Sequence, residues 1–353
     1  MSETRTIDVH AHVLSEETMR LLQRESAELA PRLSEIGSEG ACLQVAGITQ
    51  RPFPRGAWDL DKRLHDMDLH GVDVQVVSVC PQTFLYDQDP ALTASFAAVQ
   101  NEQISALAAA MPDRFMGLAT LPLQAPERAA AELRRAMLDL GLVGALIGSH
   151  VEGRNLDDPN LEPVWAAAAE LGAFILVHPQ KVAAAKRLGA YYLTNLIGNP
   201  LETSIAAVSL VFAGVLERYP TLKVCFAHGG GFIPYQAGRL MHGWEVRPEA
   251  KKRLGVSPEA SLRRLYFDTL VHFDPALEFL IDTFGAAHVL LGSDYPFDMG
   301  HLDCVRQIRE LPILDADCRL ILGDGARALL REGRAAGACG RLAAPDAHAP
   351  IMS

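Results

Sequence analysis

The chain has 353 residues, 49% of them hydrophobic, which is enough for one large α/β core or two smaller domains. Its 43 acidic against 32 basic residues give a net charge of −11, which argues against nucleic acid or an anionic membrane surface as a partner. No apolar run approaches the roughly 20 residues that cross a bilayer, and no secretory signal is visible before Thr6. The scattered cysteines (Cys42, Cys80, Cys225, Cys304, Cys318, Cys339) include no CxxC pair and read as reduced, mostly buried thiols of a cytoplasmic protein.

In chain order, Ile7-Asp8-Val9 opens a short β-branched strand that ends in His10-Ala11-His12. Residues i and i+2 of an extended chain point to one side. Both imidazoles can therefore face one point past the strand end, as a divalent metal such as zinc requires. Taken alone, the pair is more often two exposed polar residues at a strand end. Residues 13 to about 58 lack a clean period. Charged helical sequence from Glu16 to Leu33 gives way to the Gly-rich stretch Ile36–Gly47 and then to Arg51–Trp58, so a small insertion is expected here.

Strand–helix alternation then becomes regular. The helix Asp59–His70, closed by Gly71, precedes the strand Val72–Val79. The Ala-rich helix Pro90–Met111 precedes the strand Phe115–Thr120, and the helix Pro126–Leu140 precedes Gly144–Ile147. Leu161–Leu171 with Gly172 leads into the apolar strand Ala173–Val177, and Leu201–Arg218 into Lys223–Ala227. The last two strands are Leu265–Asp268 and Val289–Gly292, with the helix Pro275–Phe284 between them. Continuous apolar runs, rather than alternating ones, are what a parallel sheet buried on both faces requires. Eight strands with intervening helices predict an α/β fold closed as a (β/α)8 TIM barrel, with the insertion after the first strand. A doubly wound open sheet is the second choice, weakened because no GxGxxG follows the first strand. Residues 1–332 form the expected barrel, and 333–353 an Ala/Gly/Pro-rich tail, mobile or lying on a partner.

On this strand map the chemistry collects at strand C-termini. His10 and His12 end the first strand and His178 the fifth, in Leu-Val-His-Pro. His228 ends the sixth, in Phe-Ala-His-Gly-Gly-Gly, and Asp294 the eighth, in Leu-Gly-Ser-Asp-Tyr-Pro. In a barrel these ends converge on one mouth. Purely structural polar residues would scatter between both strand ends, so this clustering favours a metal site. The remaining histidines (65, 70, 150, 242, 272, 288, 301) read as surface or packing residues, with His150 and His272 also candidates for pocket wall.

Four runs carry a resemblance: Gly117–Pro126, Leu222–Gly231, Gly238–Gly243 and Gly292–Phe297. With them the chain, from Ile7 to about Leu330, resembles the decarboxylating branch of the amidohydrolase superfamily, the branch of the 2-amino-3-carboxymuconate-6-semialdehyde decarboxylases. The resemblance implies one Zn2+ per subunit, with Mn2+ as another suitable ion, held by His10, His12, His178 and Asp294. No bridging lysine ends the fourth strand, where Ile147-Gly-Ser-His stands, which supports a single metal. His228 is implied as a base beside the metal, and Asp294 as a proton donor in a direct-chelation route. Arg51, seven residues before Trp58, matches the substrate-carboxylate arginine, while nearby Arg55 reads as structural. Arg239 matches an arginine that enters the neighbouring subunit's site, so a homodimer is expected. Tyr192 and Phe297 would line the substrate pocket. The chain departs from the pattern at Pro179-Gln180-Lys181, at Tyr192 and at Thr194-Asn195, where bulky indoles give way to more polar groups.

The resulting expectation is a zinc-dependent, non-oxidative decarboxylase acting on a small carboxylate from aromatic degradation. That substrate is a carboxymuconate semialdehyde or a hydroxylated aromatic or heteroaromatic carboxylate. A metal-dependent hydrolase or hydratase on the same barrel is the rival within the class, and a non-catalytic metal-binding protein the rival outside it. Hydrolysis needs no carboxylate clamp, and a binding module needs no base, so the arginines and His228 favour decarboxylation.

Overall fold

The computed structural model describes residues 5–38 and 40–330, so the predicted tail and Cys339 lie outside the described residues. The apolar runs become strands in the predicted order. β1 is Ile7–Val13, followed by β2 (Arg32–Ser34), β3 (Gly40–Val45), β4 (Ile48–Pro54) and the wholly buried β5 (Val74–Val79). The predicted strand at 115–120 is two pieces, β6 (Phe115–Gly117) and β7 (Ala119–Thr120). β8 is Gly144–Gly148, and β9 (His150–Val151) and β10 (Arg154–Asn155) form a small antiparallel ribbon. β11 (Phe174–His178), β12 (Lys223–Phe226), β13 (Tyr266–Asp268) and β14 (Val289–Leu290) complete the set.

The strands pair in parallel as β1-β5-β6 and as β14-β13-β12-β11-β8-β7. Leu118 N–H donates to Val77 O at 2.9 Å, so the joint between β6 and β7 still bonds to β5. At the other edge, Val9 N–H donates to Leu291 O (2.8 Å), His12 N–H to Tyr295 O (2.7 Å) and Asp294 N–H to His10 O (2.8 Å). The fully buried Asp8 reinforces that edge, accepting from Ser293 N (3.0 Å), Ser293 Oγ (2.6 Å) and Gln75 Nε2 (3.2 Å). Such a carboxylate is tolerated in the interior because each oxygen is hydrogen-bonded.

The helices cover the parallel strands, and Leu133, Trp165, Leu210 and Leu277 are buried in one continuous core with Val76, Leu146 and Val224. Asp59 caps the helix Leu60–His70 by accepting from Lys62 N, and Gly71 closes it at φ 73°, a left-handed C-cap. No described helix is long and apolar enough to cross a membrane. The five described cysteines are free, and four of them are buried.

Two expected helices are corrected, and two elements were not foreseen. The helix expected over Glu16–Leu33 ends at Glu25, where Ser26 turns to extended backbone (φ −156°, ψ 111°) while its N–H still donates to Leu22 O. The single helix expected over Leu201–Arg218 is Asn199–Phe212 and Val215–Arg218, broken at Gly214 with φ 67°. The stretch up to Trp58, which lacks a clean period in sequence, contains an antiparallel sheet, β2-β3-β4. Its own small cluster of Leu43, Val45 and Phe53 packs with Leu14 and Cys80. The helix Ile233–Val246 was not among the predicted elements, since only Ile233 is buried and Gly238 and Gly243 interrupt its pattern.

Candidate metal centre and its cavity

β1 delivers His10 and His12, the last residue of β11 is His178, and Asp294 stands four residues beyond β14. All four are buried, and one ligand atom from each lies within 4.8 Å of the others. The second nitrogen of each imidazole is anchored. His10 Nδ1 meets Asp268 Oδ2 at 2.7 Å, His12 Nδ1 meets Val79 O at 2.8 Å and His178 Nδ1 meets Pro179 O at 2.8 Å. These partners only accept, so each Nδ1 carries a proton and each Nε2 is free to present its lone pair.

Those Nε2 atoms converge. His10 and His12 Nε2 are 3.1 Å apart, and Asp294 Oδ1 lies 3.0 Å from His12 Nε2 and 3.3 Å from His10 Nε2. His178 Nε2 and Asp294 Oδ1 are buried without a hydrogen-bond partner. Lone pairs packed face to face, with orphaned acceptors beside them, are what a divalent cation resolves. The donor set therefore fits a metal.

The local electrostatics agree. Burial opposes a charge on His10, but the Asp294 and Asp268 carboxylates outweigh it and lift its pKa to about 10. Burial pushes His12 and His178 down, so both stay neutral, as metal ligation requires. Burial would raise Asp294, but the surrounding histidines, His10 foremost, hold it well below the usual carboxylate range. The same field that favours a proton at His10 favours a metal ion in its place.

His228 stands beside this group. Its Nε2 is 3.4 Å from Asp294 Oδ2, and its Nδ1 is buried without a partner. His228 and Asp294 both adopt left-handed backbone, at φ 57° and 56°, conformations that non-glycine residues hold only when their surroundings enforce them. Asp268 supplies part of that enforcement: its Oδ2 accepts from His228 N (3.0 Å) and its Oδ1 from Gly229 N (2.7 Å). Asp268 thus orients both His10 and His228, a role the sequence reading missed although the residue ends the seventh predicted strand. Gly292 lets these groups come together, since a Cβ there would lie 2.7 Å from Asp268 Cβ and 3.1 Å from His10 Cβ.

The centre opens into a cavity of about 890 Å³ lined by His178, His228, Asp294, Arg51, Tyr192 and Phe297, among others. Phe297 packs 5.2 Å from the His12 ring. Arg51 sits on β4 at the mouth, paired with Glu35 at 2.5 Å. Tyr192 is half exposed at φ 58°. Arg55 bonds Asp59 at 2.6 Å, as expected of a structural residue. Arg239 lies on the exposed part of the helix Ile233–Val246 and is not among the residues lining its own chain's cavity. Nor are His150 and His272 part of that lining: His150 instead bonds the carbonyls of Gln180 and Lys181, at 3.1 and 3.2 Å.

A family model described as amidohydrolase matches residues 7–331. The 2-amino-3-carboxymuconate-6-semialdehyde decarboxylase of Dictyostelium discoideum is 38% identical over 297 residues, covering 84% of this chain and 83% of the relative. The enzyme of the same name from Caenorhabditis elegans is 30% identical over 359 residues, covering 88% and 90%. Among solved structures, a dihydroxybenzoic acid decarboxylase from Polaromonas sp. JS666, with bound manganese and the inhibitor 2-nitroresorcinol, superposes with a TM-score of 0.78. It is 23% identical, covering 95% of this chain and 99% of its own.

Proposed function

The chain belongs to the amidohydrolase family, and from that premise we propose that it is a metal-dependent carboxy-lyase that removes CO2 non-oxidatively from an aromatic-type carboxylate. The observation that carries this reading is the convergence of three imidazole Nε2 atoms and Asp294 on one buried point, beside His228. His10, His12, His178 and Asp294 hold one divalent ion. Zn2+ suits a set of three imidazoles and one carboxylate, and Mn2+ is the alternative. When bound, such an ion acts as a Lewis acid that polarises substrate and lowers the pKa of water.

Losing CO2 from an sp2 carbon leaves a poorly stabilised carbanion, so the reacting carbon must first become tetrahedral. A proton therefore has to be moved at the site. His228 Nε2 is the group placed to move it, with Asp294 Oδ2 at 3.4 Å as its partner. Arg51, at the mouth of the same cavity, supplies a guanidinium fork for a carboxylate. Phe297 and Tyr192 shield the substrate from bulk water. Exposed Arg239 completes the site of a second copy, making the active unit a homodimer. The eight parallel strands close as a barrel; the hydrogen bonds from β1 to the segment after β14 support this closure. Residues 13–58, with their antiparallel sheet, form the insertion beside its mouth.

The test is CO2 release by purified, metal-analysed protein on a panel of muconate and aromatic carboxylates, with lactones and amides as controls. CO2 release that is abolished by chelation and restored by Zn2+ or Mn2+ is expected. Hydrolysis of a control without CO2 release from any carboxylate would overturn the reading.

A further inference from the structure

Arg63, on the helix Leu60–His70, is only 1% exposed, and the groups its guanidinium meets are neutral. Nη2 donates to His12 O and Nη1 to Gln75 Oε1 at 2.9 Å. Its guanidinium carbon lies 4.7 Å from the centre of the Tyr295 ring, a cation–π contact. Among the described residues no carboxylate pairs with it. Desolvating an unpaired cation is costly, and packing alone would favour an apolar side chain here. What a guanidinium adds is a rigid fork that holds several groups at fixed spacing.

Each of the three contacts leads to a residue of the metal cluster. His12 is one itself, and its carbonyl stands where β1 loses its neighbour. His12 N–H donates to Tyr295 O at 2.7 Å, and a parallel ladder would next bring the N–H of Phe297 to His12 O. The chain turns first, and Phe297 N–H donates to Asp294 O at 3.0 Å. Arg63 supplies the donor that the ladder lacks.

Through Gln75 the fork reaches His10. Gln75 Nε2 donates to Asp8 Oδ2 at 3.2 Å, and Asp8 Oδ1 accepts from His10 N and Ser293 N, both at 3.0 Å. Through Tyr295 it reaches Asp294, the residue before. The Tyr295 hydroxyl donates to Asp66 Oδ2 at 2.8 Å, and Lys62 Nζ donates to Asp66 Oδ1 at 2.6 Å. Residues i and i+3 share a helix face, so Arg63 and Asp66 hold Tyr295 together, one at the ring and one at the hydroxyl. Room for that hydroxyl depends on Gly56, where a Cβ would lie 1.9 Å from Tyr295 Oη. Arg63 itself is not among the residues lining the cavity.

We propose that Arg63 is a positioning residue of the metal centre. It ties the strand that carries His10 and His12 to the segment that carries Asp294, and so fixes the spacing of their ligand atoms from outside the cavity. This rests on the reading of His10, His12, His178 and Asp294 as metal ligands.

The experiment uses the full chain and three measurements: Zn2+ affinity by competition with a metallochromic chelator, visible absorption of the Co2+-loaded protein, and thermal unfolding of the metal-free protein. Arg63→Met keeps the bulk and removes the fork. It should weaken Zn2+ about 10–100-fold, the loss typical of groups that orient a ligand, and alter the Co2+ spectrum. Arg63→Lys keeps the charge but serves one acceptor at a time, so it should recover part of the affinity and lie about 3–10-fold below wild type. A role confined to stability would lower the unfolding temperature while Zn2+ affinity stays within about twofold and the Co2+ spectrum is unchanged, and that result overturns the proposal. If Arg63→Met does not fold, Arg63→Lys decides alone by the same two readouts. His178→Ala separates the underlying reading. Metal binding that survives His178→Ala unchanged defeats the ligand assignment and this proposal with it. Binding that is lost in His178→Ala but kept at wild-type strength in the Arg63 variants defeats the positioning role alone.

Discussion

Asp268→Asn changes one buried oxygen into an NH2 group and should disable the centre without touching a metal ligand. Asp268 is fully buried and receives four N–H groups: His10 Nδ1 (2.7 Å) and His228 N (3.0 Å) on Oδ2, Gly229 N (2.7 Å) and Leu270 N (3.1 Å) on Oδ1. An asparagine of the same shape has one oxygen to offer, so its NH2 faces two donors whichever way it turns. Two hydrogen bonds to a charged acceptor are lost at about 1.5–3 kcal/mol each, an upper bound of about 3–6 kcal/mol. The lower cost of burying a neutral amide offsets part of this.

If the NH2 faces His10, the imidazole must accept on Nδ1 and carry its proton on Nε2, the atom that should bind metal. If it faces Gly229 and Leu270, the backbone that carries His228 shifts. The expected loss in metal affinity is about 10–100-fold, typical of groups that orient a ligand, or roughly 1.4–2.7 kcal/mol. Competition titration against a metallochromic chelator, with thermal unfolding of the metal-free protein, reads both effects. Metal affinity within about twofold of wild type together with unchanged stability would show that this carboxylate does not orient His10, and the reasoning would fail.

His178→Ala should lose metal and activity together, because a three-ligand remnant binds far more weakly; full metal occupancy by elemental analysis would remove His178 from the ligand set. His228→Ala should keep its metal and lose about 10²–10⁴-fold in kcat, as a displaced proton-transfer group does; metal loss equal to that of His178→Ala would make it a ligand instead. Because the His10 pKa is raised to about 10 in the metal-free centre, its proton must leave before metal binds. Affinity for Mn2+ should therefore rise about tenfold per pH unit between pH 6 and 8, and a flat profile would contradict the arrangement. Mixing inactive Arg239→Ala with inactive His228→Ala should restore up to roughly a quarter of wild-type activity, because one site of each mixed dimer carries neither defect. Subunit exchange seen by mass spectrometry without recovered activity would place Arg239 outside the neighbour's site.

Local sequence determined the strands and all four residues of the candidate metal cluster. A strand buried on both faces is apolar on both, so Ala173–Val177 stands out from any window a few residues wide. The histidine pair at the end of β1 carries its own geometry, because an extended chain alternates sides every residue. Tertiary structure alone decided what those groups do to one another. Asp268 finds His10 across 258 positions of sequence, a contact no local period encodes, and it supplies the acceptor that holds the proton on His10 Nδ1. The antiparallel sheet at 32–54 was hidden because its stabilising contacts, with Leu14 and Cys80, come from other elements.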